Sequence, residues 1–401
     1  MSNIFNLFSN LTTVQKSLIV SILSIVLFIG SSTLSFSIFG RGKIGNLVVP
    51  GTMTIPGPAA VISEDPSEPK TESCPLNGQL HTKKAREVWE KRIPLAVMIE
   101  NHTESRPQSG LSSADIIYEV VAEGGITRFM ALFYCNLGDI QIGPVRSART
   151  YFLDWLSEYG ALYAHVGGAN TPGPANALGQ IIKYGIKDLN QFSIGFPTFW
   201  RDYQRLGRPV ATEHTMYSTT QKLWDIGTKR GFAAVDEKDG KWGTGFVSWI
   251  FKDPAANLAS VTGSASGGAK VNVEFWSGYS SYSVTWDFDP ATNLYKRSNG
   301  GEPHLDLNNK QQLTAKNIVV QFERESNAND GYENNAHLLY GTTGQGRALI
   351  FQDGKVISGK WSKASRTART KYTDDKGSEI KFNKGLIWIE TVPEGAKVSY
   401  S

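Results

Sequence analysis

Apolar residues along the chain fall into three regimes. From Ser17 to Phe39 they form one run without a charged residue. From about 95 to 230 they appear as short continuous blocks mixed with stretches of helical spacing. Beyond 271 the helical spacing largely stops, and short apolar blocks recur between turn residues. The middle regime predicts strands at Leu95–Ile99, Ile116–Ala122 and Ile126–Tyr134. The last two are separated only by Glu123-Gly124-Gly125, a connection short enough for a hairpin. Ser147 is expected as N-cap of a helix over ARTYFLDWLSEYG. Its stripe is Phe152, Leu153, Leu156 and Tyr159, and Gly160 closes it. The strand-like LYAHVGG carries His165 ahead of a glycine pair. Pro174 suits the first turn of a helix that ends at Gly185. Ser218, with Gln221 three residues later, has the pattern of a capping box before another helix.

The third regime predicts strands in VNVEFW, YSVTWDFD, LYKRS, NIVVQFE, ALIFQDGKVISGKW and EIKFNKGLIWIETV. Asp353-Gly354 has the residue types of a primed hairpin turn. Such regular short strands suggest a sandwich, a partial barrel or a strongly bent sheet. Trp286, Trp361 and Trp388 are expected in the core rather than on a carbohydrate platform. The fold class expected is α+β: a mixed α/β N-terminal domain at 73–235, a connection at 236–270, and a mainly β C-terminal domain at 271–400. Two segments precede them, a membrane anchor at 1–40 and a flexible tether at 41–72. The Ser17–Phe39 run has about the length of a bilayer span, and its Ser35-Phe36-Ser37 is a poor match to the small-x-small site of a cleaved signal. An uncleaved transmembrane helix is therefore favoured over a cleaved leader. Lys16 stands before the run and Arg41 and Lys43 after it, so flanking charge does not fix orientation. The Pro/Gly/Ser-rich tether has too little apolar surface to fold.

Charge changes this picture little. The net charge is +4 over 401 residues, and the basic residues are dispersed. No nucleic-acid partner is expected. The chain has no G-x-S-x-G elbow, Walker loop, H-E-x-x-H or C-x-x-C motif, and no cofactor is expected. Asp287, Asp289, His304, Asp306 and Asp353 share no metal-loop spacing, so no metal is expected either. Cys74 and Cys135 are an even pair. In an exported chain they would form one disulfide, pinning the end of the tether to the hairpin; the alternative is two separate thiols.

The candidate chemistry gathers between Glu119 and Arg149. Arg146 and Arg149 precede a helix N-terminus, whose partial positive charge makes them unfavourable there unless an anion answers. Glycines at 124–125 and 167–168 let something approach closely. A ligand set of Asn101, Arg106, Arg128, Arg146, Arg149 and His165 would hold a carboxylate or phosphate. The competing reading is that the arginines pair internally with Asp115, Glu119 and Glu123. An enzymatic alternative, a wall hydrolase or transferase, makes Glu123 the general acid or base with His165 or His214 assisting. Arginines beside Glu123 oppose that role by favouring its ionised form.

The stretch IENHTESRPQSGLSSADIIYEVVAEGGITRF, followed by IGPVRSARTYF and HVGG, resembles the YerB-like family. YKRSNGGEPHLD, LTAKNIVV, DGKVISGKW and GLIWIETVP extend the resemblance across about 73–400. The family comprises bacterial membrane-associated or lipoprotein-type extracytoplasmic proteins with two domains of unknown function. The resemblance implies an extracytoplasmic location for the bulk of the chain; the apolar run adds the expectation of a single-pass anchor in the cell membrane, a departure from lipoprotein members. It implies no reaction and no ligand. The expectation is therefore an envelope binding or scaffolding module for an anionic wall polymer or an envelope partner.

Overall fold

The computed structural model describes residues 15, 65, 67–232, 235–236, 240–243, 245–253 and 267–401. The expected anchor, and the tether up to residue 64, lie outside these apart from Gln15. Among the described residues no helix is long and apolar enough to cross a membrane. A mixed sheet of ten strands organises the body. In chain order its strands are β1 (Leu95–Glu100), β2 (Ile116–Glu123), β3 (Ile126–Phe133), β4 (Leu162–His165) and β5 (Lys187–Asn190), then β6 (Asn317–Glu323), β7 (Gly344–Gln352), β8 (Lys355–Lys363), β9 (Lys371–Asp374) and β10 (Ile387–Pro393). Across the sheet they lie in the order β9-β8-β7-β6-β10-β2-β3-β1-β4-β5.

The seam of this sheet joins the two halves of the sequence. β10 pairs in parallel with both β6 and β2, with Ile387 opposite Ile116 and Glu390 opposite Glu119. Every residue of β1 and β6 is buried. That explains why these strands read as continuous apolar blocks rather than as alternating ones. The family of halves predicted from composition is thus built around one shared sheet, and neither half closes its own edge at the β2–β10 contact. A six-stranded sheet of the C-terminal half packs beside it. Its members include Lys270–Glu274, Val284–Asp289, Leu294–Asn299 and Lys397–Tyr400. Trp286 from the small sheet meets Trp388 of β10 edge to face, with centroids 5.2 Å apart. Both indoles and Trp361 are core residues. The described part of the connection is packed rather than free. Trp249 is buried and donates to the Thr370 carbonyl, and Ile250–Lys252 pairs with Lys381–Asn383.

The strands fall close to where the pattern places them, but three helix starts shift. The helix expected from Ser147 runs Thr150–Ser157, with Arg149 at the N-cap position and no side-chain cap. Its predecessors cannot turn helical because Ala148 bridges Gly168 in a short parallel contact. The helix expected from Pro174 is Ala177–Tyr184, capped by Asn176; Gly185 ends it in the left-handed conformation, as expected. The last helix is Thr220–Lys229, capped by Thr219 rather than Ser218. Ser218 belongs to a short strand, and its hydroxyl donates to the Thr198 carbonyl.

Cys74 and Cys135 form a disulfide with a Cα–Cα distance of 5.9 Å and a sequence separation of 61. Beside it, Asp115 accepts the Tyr134 and Cys135 N–H groups and the Asn77 side-chain amide. Replacing both cysteines by alanine should lower unfolding free energy by about 4 kcal/mol, the scale for releasing a loop of this length. Urea unfolding of oxidised wild type against the double variant checks this, and equal midpoints would contradict it.

Candidate functional site

The corner predicted to carry the chemistry is assembled by one irregularity and one close approach. Along β2 the register with β3 shifts between Val121 and Glu123, so that Glu123 pairs with Ile126. Bulges of this kind re-aim a side chain at the end of a strand. Gly124 and Gly125 follow with φ of 55° and 76°, which suits a type I′ turn. A Cβ on Gly125 would also lie 2.1 Å from the Tyr279 ring. The segment before the Thr150 helix is held extended beside β1 and the Val166–Gly168 strand end. Arg146 N–H donates to Met98 O, and Val166 N–H donates to Arg146 O. A Cβ on Gly168 would sit 3.1 Å from that of Ala148, so glycine is what permits this approach.

Two arginines are committed to Glu123. Arg128, almost wholly buried, donates to Glu123 Oε1 at 2.9 Å and to the Ser147 carbonyl at 3.0 Å. Arg149 donates to Glu123 Oε2 and to the Ala148 carbonyl. Burial pushes the Glu123 carboxyl up, but Arg128 and Arg149 outweigh it and hold the group at about 2. Glu123 is therefore ionised at neutral pH and is poorly suited to donate a proton as a general acid. Two guanidiniums sharing one carboxylate leave a net positive charge at the corner.

A cleft of about 470 Å³ opens over this group. Glu123, Gly124, Arg146 and Arg149 line one side, and the Tyr332–His337 segment of the C-terminal half lines the other. His337 is anchored there by Asp330 and stacks on Tyr332 at 3.9 Å. Arg146 differs from its neighbours. About a quarter of its side chain is exposed, and among the described residues its ion pair runs from Nε to Glu100 Oε1 at 3.1 Å. The residue is one of those lining the cleft.

The other predicted site residues are placed elsewhere. His165 is fully buried, with Nδ1 2.6 Å from Gly167 O and Nε2 2.7 Å from Asp188. A carbonyl only accepts, so Nδ1 carries a proton, and both nitrogens are engaged away from the cleft. His214 packs against Glu100 through Nδ1 at 2.8 Å, and that bond raises its pKa. Asn101 follows the last residue of β1 and turns to the opposite face from Glu100, as strand alternation requires. It enters a buried network, donating to Glu119 and Thr127. Arg106 donates to Asn101 and to Ser281 O, beside a second cavity of about 370 Å³ that it lines with Asn299 and His304. The expected set is therefore split: Arg128, Arg146 and Arg149 stand together, whereas Asn101, Arg106 and His165 do not join them. Of the carboxylates expected to pair internally with the arginines, Glu123 does so. Glu119 pairs instead with Arg297, and Asp115 with backbone N–H groups.

The sequence reading missed Glu100 as the partner of both Arg146 and His214, and it missed the Tyr332–His337 wall. The polar trio Glu100-Asn101-His102 at the end of an apolar strand was the available signal for the first. For the second, segment 332–337 carries no pattern that links it to a hairpin two hundred residues earlier.

Residues 78–233 match the N-terminal domain, and residues 271–389 the C-terminal domain, of a family described as protein of unknown function (DUF3048). A relative in Bacillus subtilis (strain 168), named "Putative lipoprotein YerB", is 29% identical over 331 residues, spanning 82% of this chain and 88% of the relative. The crystal structure of the Bacillus subtilis YerB protein superposes with a TM-score of 0.66 at 25% identity, covering 82% of this chain and all of that one. With both domains present in order, and with this fold, the chain belongs to the YerB-like family of two-domain DUF3048 proteins.

Proposed function

We propose that this chain is an extracytoplasmic protein of the bacterial envelope. Its N-terminal segment holds it at the membrane, and the cleft between the Glu123 turn and the Tyr332–His337 segment binds an anionic group of a wall component. The lipoprotein name of the Bacillus subtilis relative supports the compartment. The observation that carries the binding reading is Arg146. It lines the cleft, pairs through Nε alone, and stands beside a corner already left positive by Arg128, Arg149 and Glu123. A planar guanidinium matches a carboxylate or phosphate in a two-pronged geometry.

Arg146→Gln is expected to weaken co-sedimentation with purified cell walls by about tenfold or more, the scale of one lost charge-assisted hydrogen bond. The melting temperature should fall modestly, because the buried Glu100 loses one partner and keeps His214, so binding is scored per folded molecule. Unchanged wall binding in this variant would overturn the assignment. Release of soluble muropeptides by wild type would replace it with the hydrolase reading.

A further inference from the structure

Two one-turn 3₁₀ segments, Thr103–Ser105 and Thr212–His214, meet beyond the end of β1. His102 caps the first and His214 ends the second, and their rings stack with centroids 4.7 Å apart. His214 is buried, and its Nδ1 lies 2.8 Å from Glu100 Oε2. The carboxylate fixes the proton on Nδ1 and leaves Nε2 as the nitrogen with the free lone pair. A carboxylate that holds a histidine in this way is the usual supporting partner of a metal-binding imidazole. Arg146 in turn pairs with the other oxygen of Glu100 and keeps it in place.

Nε2 of His214 points at another acceptor, Glu104 Oε2, across 3.6 Å. That separation is long for a hydrogen bond. It is close to the span of two ligand atoms on one tetrahedral ion, since bonds of about 2.0–2.1 Å place them roughly 3.3–3.4 Å apart. His102 provides a third donor: ligand atoms of His102, Glu104 and His214 all lie within 4.8 Å of one another. The His102 ring is partly open to solvent, and its Nδ1 accepts a 3.2 Å bond from Glu104 N–H. Imidazole lone pairs lie in the ring plane, so the His102 ring has to turn out of its stack on His214 to share an ion with it. The surrounding charge also suits a cation. Glu100, Glu104 and Glu213 stand against Arg146, with Arg208 bonded to the Glu104 carbonyl.

We propose that His102, Glu104 and His214 bind a divalent transition ion, with zinc the best match to two imidazoles and one carboxylate, and that Glu100 orients His214 for it. Half of the Glu104 side chain is exposed, which leaves the fourth position to water. The three ligands sit 102, 104 and 214 along the chain, a spacing that no metal motif describes. The site shares Glu100 with the wall-binding Arg146, and metal binding is read without walls present.

The test uses the full-length, tag-free chain, stripped with chelator and titrated with zinc chloride by calorimetry, with cobalt(II) absorption as a second probe. One ion per chain in the micromolar range, with a tetrahedral cobalt band, is the expected result. His214→Ala and Glu104→Gln should each weaken binding by at least about tenfold, and Glu100→Gln by about tenfold with the stoichiometry retained. Glu104 is a surface residue, so its variant decides the matter even where His214→Ala fails to fold. Absence of saturable binding at millimolar zinc, or undiminished affinity in Glu104→Gln, would overturn the site.

Discussion

Arg297→Met should cost about 3–5 kcal/mol, the effect of removing one member of a buried ion cluster and leaving its partners uncompensated. Arg297 belongs to the small sheet and has no solvent exposure, yet its guanidinium reaches Glu119 on β2 of the large sheet. It also donates to His304 and lies 4.7 Å from the centre of the Trp388 ring. Glu390, directly opposite Glu119 in the parallel β10–β2 pairing, lies 3.9 Å away. Burial first, and then the neighbouring Glu119, push the Glu390 carboxyl well above the usual carboxylate range, while Arg297 restrains it. Without the arginine, the two carboxyls face each other in a dry interior and cannot both ionise.

The pH dependence of that loss has a definite sign. A carboxyl whose folded pKa lies above its unfolded value binds more protons in the native state, so stability falls as pH rises through that window. The deficit of Arg297→Met should therefore be smaller near pH 5 than near pH 8, and Glu119→Gln in the variant background should recover part of it. Urea unfolding at the two pH values measures both effects. An equal deficit at both, with no recovery, would mean that packing rather than charge joins the sheets here. The same network contains His304, whose Nδ1 accepts from Arg297 and whose Nε2 lies 2.6 Å from Gln108 Oε1. Burial and the nearby Arg297 lower its pKa well below the ordinary value, so it stays neutral and adds no charge of its own.

What the sequence discloses and what it hides follow from the range of the interactions. The β2–β3 hairpin is legible because its signal is local: two apolar blocks and a Gly-Gly connection whose backbone only glycine adopts at little cost. Asp353-Gly354 is legible for the same reason, with φ of 55° and 67° between β7 and β8. Helix caps are less legible because a tertiary contact decides them. Ser147 has the better cap chemistry, yet the bridge between Ala148 and Gly168 keeps the chain extended past it, and Arg149 takes the cap position by default. The Glu123–Arg149 pairing was foreseeable from topology, since a hairpin returns close to where the next helix begins. Arg297 was not, because its partner Glu119 is 178 residues away and the sheet that separates and unites them is visible only in three dimensions. A glutamate inside an apolar run, as in IIYEVVA and GLIWIETV, was the one local hint that a buried cation had to come from elsewhere.

Glu123→Gln should cost about 3–5 kcal/mol at neutral pH, because it strands two buried guanidiniums whose shared counter-charge has gone. Arg128 and Arg149 have side-chain exposures of 2% and 8%, so water cannot take the carboxylate's place. The effect should titrate. Glu123 has a folded pKa of about 2, below its unfolded value, so its stabilisation is present in full above the unfolded pKa and is lost as pH falls towards the folded one. Lowering a carboxyl from its ordinary value to that level corresponds to about 3 kcal/mol. The gap between wild type and Glu123→Gln should thus be widest near pH 6 and shrink by most of that amount by about pH 2. Arg149→Lys provides the matching test from the cation's side. It keeps one charge but loses the fork that spans Glu123 and the Ala148 carbonyl, and it should lower stability by about 1–2 kcal/mol. Wall binding per folded molecule should hold, because Arg149 is spent on Glu123 while Arg146 lines the cleft. If Arg149→Lys instead weakens wall binding at an unchanged melting temperature, the ligand displaces Glu123 and the two arginines exchange roles.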